Sequence, residues 1–299
     1  MVEKTYRLSE MFYSFQGEAL HAGKPSVWIR WFGCNLECNG FGQKDPTDPS
    51  SYVLPYQTFD ISKIQKIEDL PVWHYGCDSS YSWSNKYKHL VHDKSAEQIV
   101  NDLVEMMKHP SNPEGLFVHP VTGQDTQLCF TGGEPMMWQK AMVAVLNELE
   151  KRGNMPRLIT IETNATQKVQ KIFHEWMQSN YRGVDVHFAM SPKLFTVSGE
   201  KDAVDPAIIQ SYIQFGHSFV LKFVCNGTEE NWNELDAAVK AVQTLTTIKD
   251  LNVWVMPVGA TKDQQEDEQV ADIAMEAMKR GYNVATRNHC YVFGNHIGF

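Results

Sequence analysis

Short apolar runs alternate with stretches of helical periodicity from residue 95 onward. Ser95-Ala96-Glu97-Gln98 has the form of a capping box, and Ile99, Leu103, Met106 and Met107 follow at helical spacing, which predicts a helix. Apolar runs at 126–131, 157–163, 184–190, 219–224 and 253–257 predict strands. Helices are predicted between them at 138–152, 167–178, 229–246 and 263–280, the last starting acidic and ending at Gly281; Asp205-Pro206 caps a further one. Before this region, 25–32 reads as the first buried strand and 5–20 as a lead-in that turns at Gly17. A final strand-like run covers 283–293. Strand and helix thus alternate about six times, which predicts an α/β fold with a parallel sheet and helices outside it. The strands read as continuous apolar runs, as expected when both sheet faces are covered.

Residues 39–76 break the pattern. They are rich in Pro, Asp, Ser and Tyr and carry only a short helical candidate at 61–70, which marks an insertion. With no linker, repeat or low-complexity tract elsewhere, a single domain over 1–299 is expected.

In such folds the chemistry lies beyond the C-terminal ends of the strands. The polar exceptions in this chain fall at those ends: Cys34, Thr131-Gly132-Gly133-Glu134, Glu162-Thr163-Asn164, Ser191-Pro192-Lys193, Lys222 and Met256-Pro257.

Composition narrows the classes. A net charge of −9 over 299 residues argues against a broad nucleic-acid footprint. The opening residues lack the apolar core of a signal peptide, and no apolar run has the length of a membrane span, so a cytoplasmic protein with no membrane association is expected. Six cysteines in a cytosolic chain of this size are better read as thiols or metal ligands than as a disulfide framework.

Cys34 and Cys38 lie on the loop after the first buried strand, and Cys77 follows after 38 intervening residues, with Asp78 and Ser79 behind it. Three thiolates suggest a metal site with an open position. The residues leave open three buried cysteines with no role, or a zinc site completed by His74, His89 or His92. Cys129, Cys225 and Cys290 sit in apolar strand contexts and read as core residues. Gly132 and Gly133 let a backbone approach closely, and Glu134 can accept from a cationic amine; an ordinary strand-to-helix turn remains the alternative. The groups past the strand ends at 162–164 and 191–193 could equally cap helices. Arg30, inside an apolar run, requires an anionic partner. His289 alone reads as a satisfied core histidine, and Glu266, Asp267 and Glu268 as a solvated helix N-terminus.

Taken together, these motifs resemble the radical S-adenosylmethionine superfamily, which carries C-x3-C-x2-C after its first strand and Gly-Gly-Glu-Pro, here 132–135, after its second. Within it the chain looks most like the 7-carboxy-7-deazaguanine synthase family. The similar segments are Met11-Phe12-Tyr13-Ser14-Phe15-Gln16-Gly17-Glu18, Cys77-Asp78-Ser79 with Trp83, Ile161-Glu162-Thr163-Asn164, Ser191-Pro192-Lys193 and Asn288-His289-Cys290-Tyr291. The chain departs from that pattern in the long gap before Cys77, in Gly76 where an aromatic residue is usual, in Ser79 for Thr, and in continuing past His289 to Phe299.

The resemblance implies a partial (β/α)6-type TIM barrel with the insertion in its cluster loop. Cys34, Cys38 and Cys77 would hold three irons of a [4Fe–4S] cluster, and the amino and carboxylate groups of S-adenosylmethionine the fourth. Gly76, Asp78, Gly132, Gly133, Glu134, Thr163, Ser191, Pro192, Lys193, Met256 and Pro257 would bind S-adenosylmethionine. Ser79 would ligate Mg²⁺. Arg30, Phe15, Gln16, Gly17, Glu18, Thr131, Glu162 and His289 would read a pterin substrate, 6-carboxy-5,6,7,8-tetrahydropterin, and its ring contraction would release ammonia. The aromatic insertion would cover the site. A flavodoxin-like one-electron reductant and a homodimer are further family expectations. Two alternatives from other classes are an activase that installs a glycyl radical on a protein partner, and a zinc-stabilised binding protein without activity.

Overall fold

The computed structural model describes residues 4–179 and 183–298; the first three residues of the opening segment, and Phe299, lie outside them. Among the described residues nine strands form one sheet: β1 (Thr5–Phe15), β2 (Pro25–Trp31), β3 (His92–Ser95), β4 (Gln127–Gly132), β5 (Leu158–Thr163), β6 (Asp185–Met190), β7 (Ser218–Cys225), β8 (Val253–Pro257) and β9 (Asn283–Val284). Their order is β3-β1-β2-β4-β5-β6-β7-β8-β9. From β2 to β9 every neighbouring pair is parallel; β1 runs antiparallel to β2 and β3 at one edge. The six long parallel strands and their helical crossovers make the partial barrel.

Alternation along the strands separates two environments. Leu128 and Phe130, Ile159 and Ile161, Phe188 and Met190, and Leu221 and Phe223 are buried in the main core, together with residues of the helices Gln139–Lys151, Lys171–Ser179, Pro206–Phe215 and Glu229–Leu245. The alternate positions include the polar Gln127, Thr160, Glu162, His187 and Lys222, so the runs are less uniformly apolar than expected. Gln127 donates to Ser26 Oγ (2.8 Å) and accepts from Thr160 Oγ1 (2.7 Å), and His187 Nδ1 lies 2.8 Å from Ser218 Oγ. These groups are tolerated in the interior because they satisfy one another across strands.

Most predicted elements form within a few residues of their expected limits, including the capping box at Ser95 and the cap at Asp205. Three differences matter. The lead-in is an eleven-residue strand, β1. The acidic-starting helix is two, Lys262–Gln265 and Glu268–Lys279, with Asp267 capping the second. The final strand-like run is the two-residue β9 followed by the helix Asn288–Phe293, so Cys290 is buried on a helix. Cys129 and Cys225 are buried in strands, as read.

The insertion carries the short helix Pro55–Thr58 and single 3-10 turns rather than one helix over 61–70. Tyr56, Ile61, Ile67, Leu70 and Trp73 pack with Tyr81, Tyr87, Leu90 and Ile297 into a second, smaller core. Its two ends meet where Gly76 N donates to the Phe41 carbonyl (2.7 Å), and Gly40 N ties it to Ser198 O (2.9 Å). That closure brings Cys77 back to the Cys34–Cys38 loop despite the sequence gap. Among the described residues no helix is long and apolar enough to cross a membrane.

Candidate active site

The strand ends open onto two adjoining cavities. The first, of about 230 Å³, is lined by Cys34, Cys38 and Cys77, with Gly76, Gly132, Gly133, Thr163, Asn164, Ser191, Lys193, Met256 and Pro257 around them. The second, of about 180 Å³, is lined by Phe15, Gln16, Gly17, Trp28 and His289, with Pro71 and Val72 of the insertion and residues 295–298 of the C-terminal segment at its rim. Seven residues line both: Glu18, Arg30, Asp78, Ser79, Thr131, Glu162 and Arg287. Neither cavity alone reaches the roughly 300 Å³ of a typical small-molecule pocket, but the two together do.

All six cysteines are free. Burial pushes the Cys34 thiol up to about 12, the Cys77 thiol up to about 11 and the Cys38 thiol well above its ordinary value. Cys38 has φ of 53°, a left-handed conformation that costs a non-glycine residue about 1–2 kcal/mol. Glu200 holds it there: one carboxylate oxygen accepts from Cys38 N (2.5 Å) and Glu37 N (2.8 Å). Asn164 Nδ2 lies 3.9 Å from Cys34 Sγ. Of the three histidines considered as zinc ligands, His74 lines this cavity; His89 faces the Ile64 carbonyl and His92 is exposed on β3. Among the described residues no three His, Cys, Asp or Glu side chains are set around a single metal ion.

The Gly-Gly-Glu turn works differently from the expectation. A Cβ on Gly133 would stand 2.0 Å from the Gly33 carbonyl oxygen, so the absent side chain admits the cysteine loop as well as facing the cavity. Glu134 N donates to the same oxygen (2.8 Å). Glu134 itself is fully buried and does not line the cavity. Its carboxylate accepts from Thr163 Oγ1 (2.7 Å), Asn164 N (2.7 Å) and Met136 N (2.9 Å), which ties the turn to the end of β5. Burial raises its pKa to about 7. Pro192 is likewise buried and lines neither cavity, while Lys193 Nζ donates to Ser191 Oγ (3.0 Å).

On the second side the side chains form one chain of alternating charge. A bulge between Leu8 and Glu10 of β1 sets Glu10 opposite Arg30, and Glu10 Oε1 accepts from Arg30 Nε (2.7 Å). Arg30 Nη1 also donates to Gly132 O (3.0 Å) and Ser79 Oγ (3.4 Å). Ser79 Oγ donates to Asp78 Oδ1 (3.0 Å), and Arg287 Nη2 to Asp78 Oδ2 (2.6 Å). Arg287 Nε donates to Glu18 Oε1 (3.2 Å); Lys222 Nζ donates to Glu18 Oε2 (2.9 Å) and Glu162 Oε2 (2.6 Å); Gln16 Nε2 donates to Glu162 Oε1 (2.9 Å). Burial alone would favour the neutral forms, but the opposed neighbours prevail. Lys222 is held above its ordinary range by Glu162 and Glu18, and Arg287 by Asp78 and Glu18. Glu18 is held well below its range by Lys222 and Arg287, and Asp78 by Arg287. His289, by contrast, is lowered to about 4 by burial and by Arg287, and stays neutral. A Cβ on Gly17 would stand 2.0 Å from its Nδ1, so glycine there is what lets the ring in.

The predicted residues are therefore brought together around the two cavities, with Glu134 and Pro192 set directly behind the lining. Arg287, Glu200 and the linking role of Lys222 were not anticipated. Lys222 carried a signal, a lysine inside an apolar strand; Arg287 and Glu200 lie in polar loops where nothing local distinguishes them.

The chain matches no family model. It is 24% identical over 295 residues to a 7-carboxy-7-deazaguanine synthase of Halobacterium salinarum, covering 94% of this chain and 88% of that protein. A protein of the same name from Rhodopirellula baltica is 24% identical over 298 residues, covering 99% and 90%. A third, from Bacteroides thetaiotaomicron, is 54% identical over 33 residues, 11% of this chain and 18% of that one. Among solved structures, that of QueE from Escherichia coli superposes with a TM-score of 0.53 at 17% identity, covering 95% of each chain. The chain is thus similar over nearly its whole length to proteins named 7-carboxy-7-deazaguanine synthase, and it has the fold of QueE from Escherichia coli.

Proposed function

We propose that this protein is a radical S-adenosylmethionine enzyme that converts 6-carboxy-5,6,7,8-tetrahydropterin to 7-carboxy-7-deazaguanine with release of ammonia. The observation that carries this reading is the shared wall: a three-cysteine cavity and a polar, partly aromatic one meet at seven residues. A cofactor on one side and a small heteroaromatic acid on the other would lie in direct contact.

Cys34, Cys38 and Cys77 would hold the cluster. All three line one cavity, and a cluster of this kind gives each thiolate its own iron. When bound, the [4Fe–4S] cluster and S-adenosylmethionine supply one-electron cleavage of a sulfonium bond and hydrogen abstraction from the substrate. Gly132, Gly133 and Thr163 would present backbone and hydroxyl groups to the methionine end, Ser191 and Lys193 hydrogen bonds and charge, and Met256 and Pro257 an apolar face to adenine. Gly76 and Asp78 would close the loop side, with Asp78 fixed by Arg287.

On the substrate side, Arg30 would meet the substrate carboxylate from a position set by Glu10 and Gly132. Gln16, Glu18, Thr131, Glu162 and neutral His289 would read the pterin edge, with Phe15 and Gly17 shaping the slot. The polar chain here has four carboxylates (Glu10, Glu18, Asp78, Glu162) against three cations (Arg30, Lys222, Arg287). A substrate carboxylate would add to that negative excess, and a Mg²⁺ ion on Ser79 Oγ would offset it. The electron would come from an external one-electron reductant of the flavodoxin kind, and the family resemblance supports a homodimer in the cytoplasm.

Anaerobically reconstituted protein, reduced and incubated with the tetrahydropterin, should release ammonia in step with 5′-deoxyadenosine. Deoxyadenosine without ammonia, from protein with a full cluster, would refute the assignment. Ser79→Ala should weaken Mg²⁺ stimulation more than it weakens cofactor cleavage in the absence of substrate; equal loss of both would remove Ser79 from the magnesium site.

A further inference from the structure

Arg287 lies in the loop between β9 and the terminal helix, outside the sheet, yet its fork ties three distant segments. Nη2 donates to Asp78 Oδ2 (2.6 Å), next to Cys77 on the cysteine loop. Nη1 donates to the Gly259 carbonyl (2.7 Å), just beyond Met256 and Pro257 at the end of β8. Nε donates to Glu18 Oε1 (3.2 Å), on the turn between β1 and β2. Asp78 and Glu18 line both cavities, and Gly259 lines the first alone. Its side chain is 13% exposed. Lys222 spans no such distance: its two partners, Glu18 and Glu162, both belong to the shared wall, whereas Arg287 also reaches Gly259 on the first cavity alone. Arg30 reaches across too, but it is fixed within the sheet by Glu10 of the neighbouring strand.

Glu18 divides its two oxygens between Arg287 and Lys222. Any ligand that donates hydrogen bonds to Glu18 competes with Arg287 for the same carboxylate. The guanidinium would then shift its share toward Asp78, on the wall common to both cavities, and Gly259, on the first cavity alone. A planar fork can redistribute bonds in this way, whereas an ammonium is a single point of charge.

We infer that Arg287 is a positioning residue that couples the two halves of the site, so that substrate bound at Glu18 and cofactor bound beside Asp78 favour one another. This rests on the reading given under Proposed function, which supplies the identity of the two ligands. Coupling of this sort is reciprocal and typically changes affinity by about 5- to 150-fold.

The test is equilibrium dialysis of S-adenosylmethionine against anaerobic, cluster-reconstituted protein kept oxidised so that no turnover occurs, with and without 6-carboxytetrahydropterin. The wild-type protein should bind the cofactor at least about fivefold more tightly with the pterin present. Arg287→Lys, which keeps the charge and loses the fork, should bring that ratio close to one. Iron content and melting temperature are measured in parallel. A merely structural role would lower both affinities together and leave the ratio intact, which would overturn the inference. Should Arg287→Lys fail to fold, Glu18→Gln cuts the same link and should abolish the ratio; a ratio that survives there overturns the inference equally. Wild-type protein that binds S-adenosylmethionine but no pterin would overturn the functional reading and this coupling with it. An unchanged ratio in the variants, beside a coupled wild type, would overturn the coupling role alone.

Discussion

The cysteine loop shows how a site is held by residues that touch no ligand. Cys38 sits in a left-handed conformation, and the Glu200 carboxylate accepts the two backbone N–H groups that this bend exposes. Glu200→Ala should therefore cost about 1–2 kcal/mol of stability. It should also cut the iron retained after reconstitution several-fold, as read by iron analysis and the broad visible absorbance of the protein. Full iron retention in that variant would show that the loop closes without it. At this scale the residue types could be read from the chain, but their employment often could not. The three cysteines, Gly133 and Glu134 stood out as chemistry-bearing, but the protein groups that Glu134 bonds did not. A glutamate after two glycines looks the same in sequence whether it faces a ligand or bonds Thr163, Met136 and Asn164 behind the cavity wall. Glu200 and Arg287 act across 162 and 209 residues, and no local pattern encodes a partner so far away.

Among the elements, the helical crossovers and the parallel strands were readable because their apolar positions repeat at the periods of helix and strand. What the periodicity did not reveal is the interior face of the barrel. Gln127, Thr160, His187 and Lys222 interrupt apolar runs one residue at a time, and their meaning lies in cross-strand partners. The β1 bulge is similar: one extra residue moves Glu10 opposite Arg30. Glu10→Gln would leave Arg30 without its carboxylate in a buried setting and should destabilise the fold by about 3 kcal/mol in denaturant unfolding. A change below about 1 kcal/mol would mean that Gly132 and Ser79 satisfy Arg30 unaided. The insertion escaped a helix-or-strand description because it uses neither. Its aromatic side chains build their own core, completed by Ile297 from the far end of the chain. Ile297→Ala should lower stability by about 2 kcal/mol and make the insertion the first segment cut in limited proteolysis. Cleavage elsewhere first would separate the tail from the insertion's stability.

At the scale of the whole molecule, burial of histidines shapes the response to acid. His187 is lowered to about 3, by burial first and then by His21 and Lys222. The unfolded chain takes up that proton near 6.5, so the contribution of His187 to stability is complete above about pH 6.5 and is lost as the pH falls toward 3. Glu134 acts in the opposite sense: its folded value of about 7 lies above the unfolded one, so its protonation favours the fold as the pH drops below 7. The comparison with His187→Gln separates the two. Wild type should lose on the order of 3 kcal/mol relative to the variant between pH 7 and pH 4, measured by urea unfolding. Parallel pH curves for the two proteins would show that His187 titrates normally. The overall architecture and the convergence of the strand ends could be anticipated because they follow from alternation and chain direction alone. How the insertion returns Cys77 to its partners could not, since it depends on the Gly76–Phe41 closure.

The mass of the product formed from 6-carboxy-5,6,7,8-tetrahydropterin tests the central assignment most directly. With reduced cluster, S-adenosylmethionine and Mg²⁺ present, the wild-type protein should yield 7-carboxy-7-deazaguanine, and Cys77→Ala should yield none. A pterin recovered unchanged from protein that carries a full cluster and cleaves S-adenosylmethionine would contradict it.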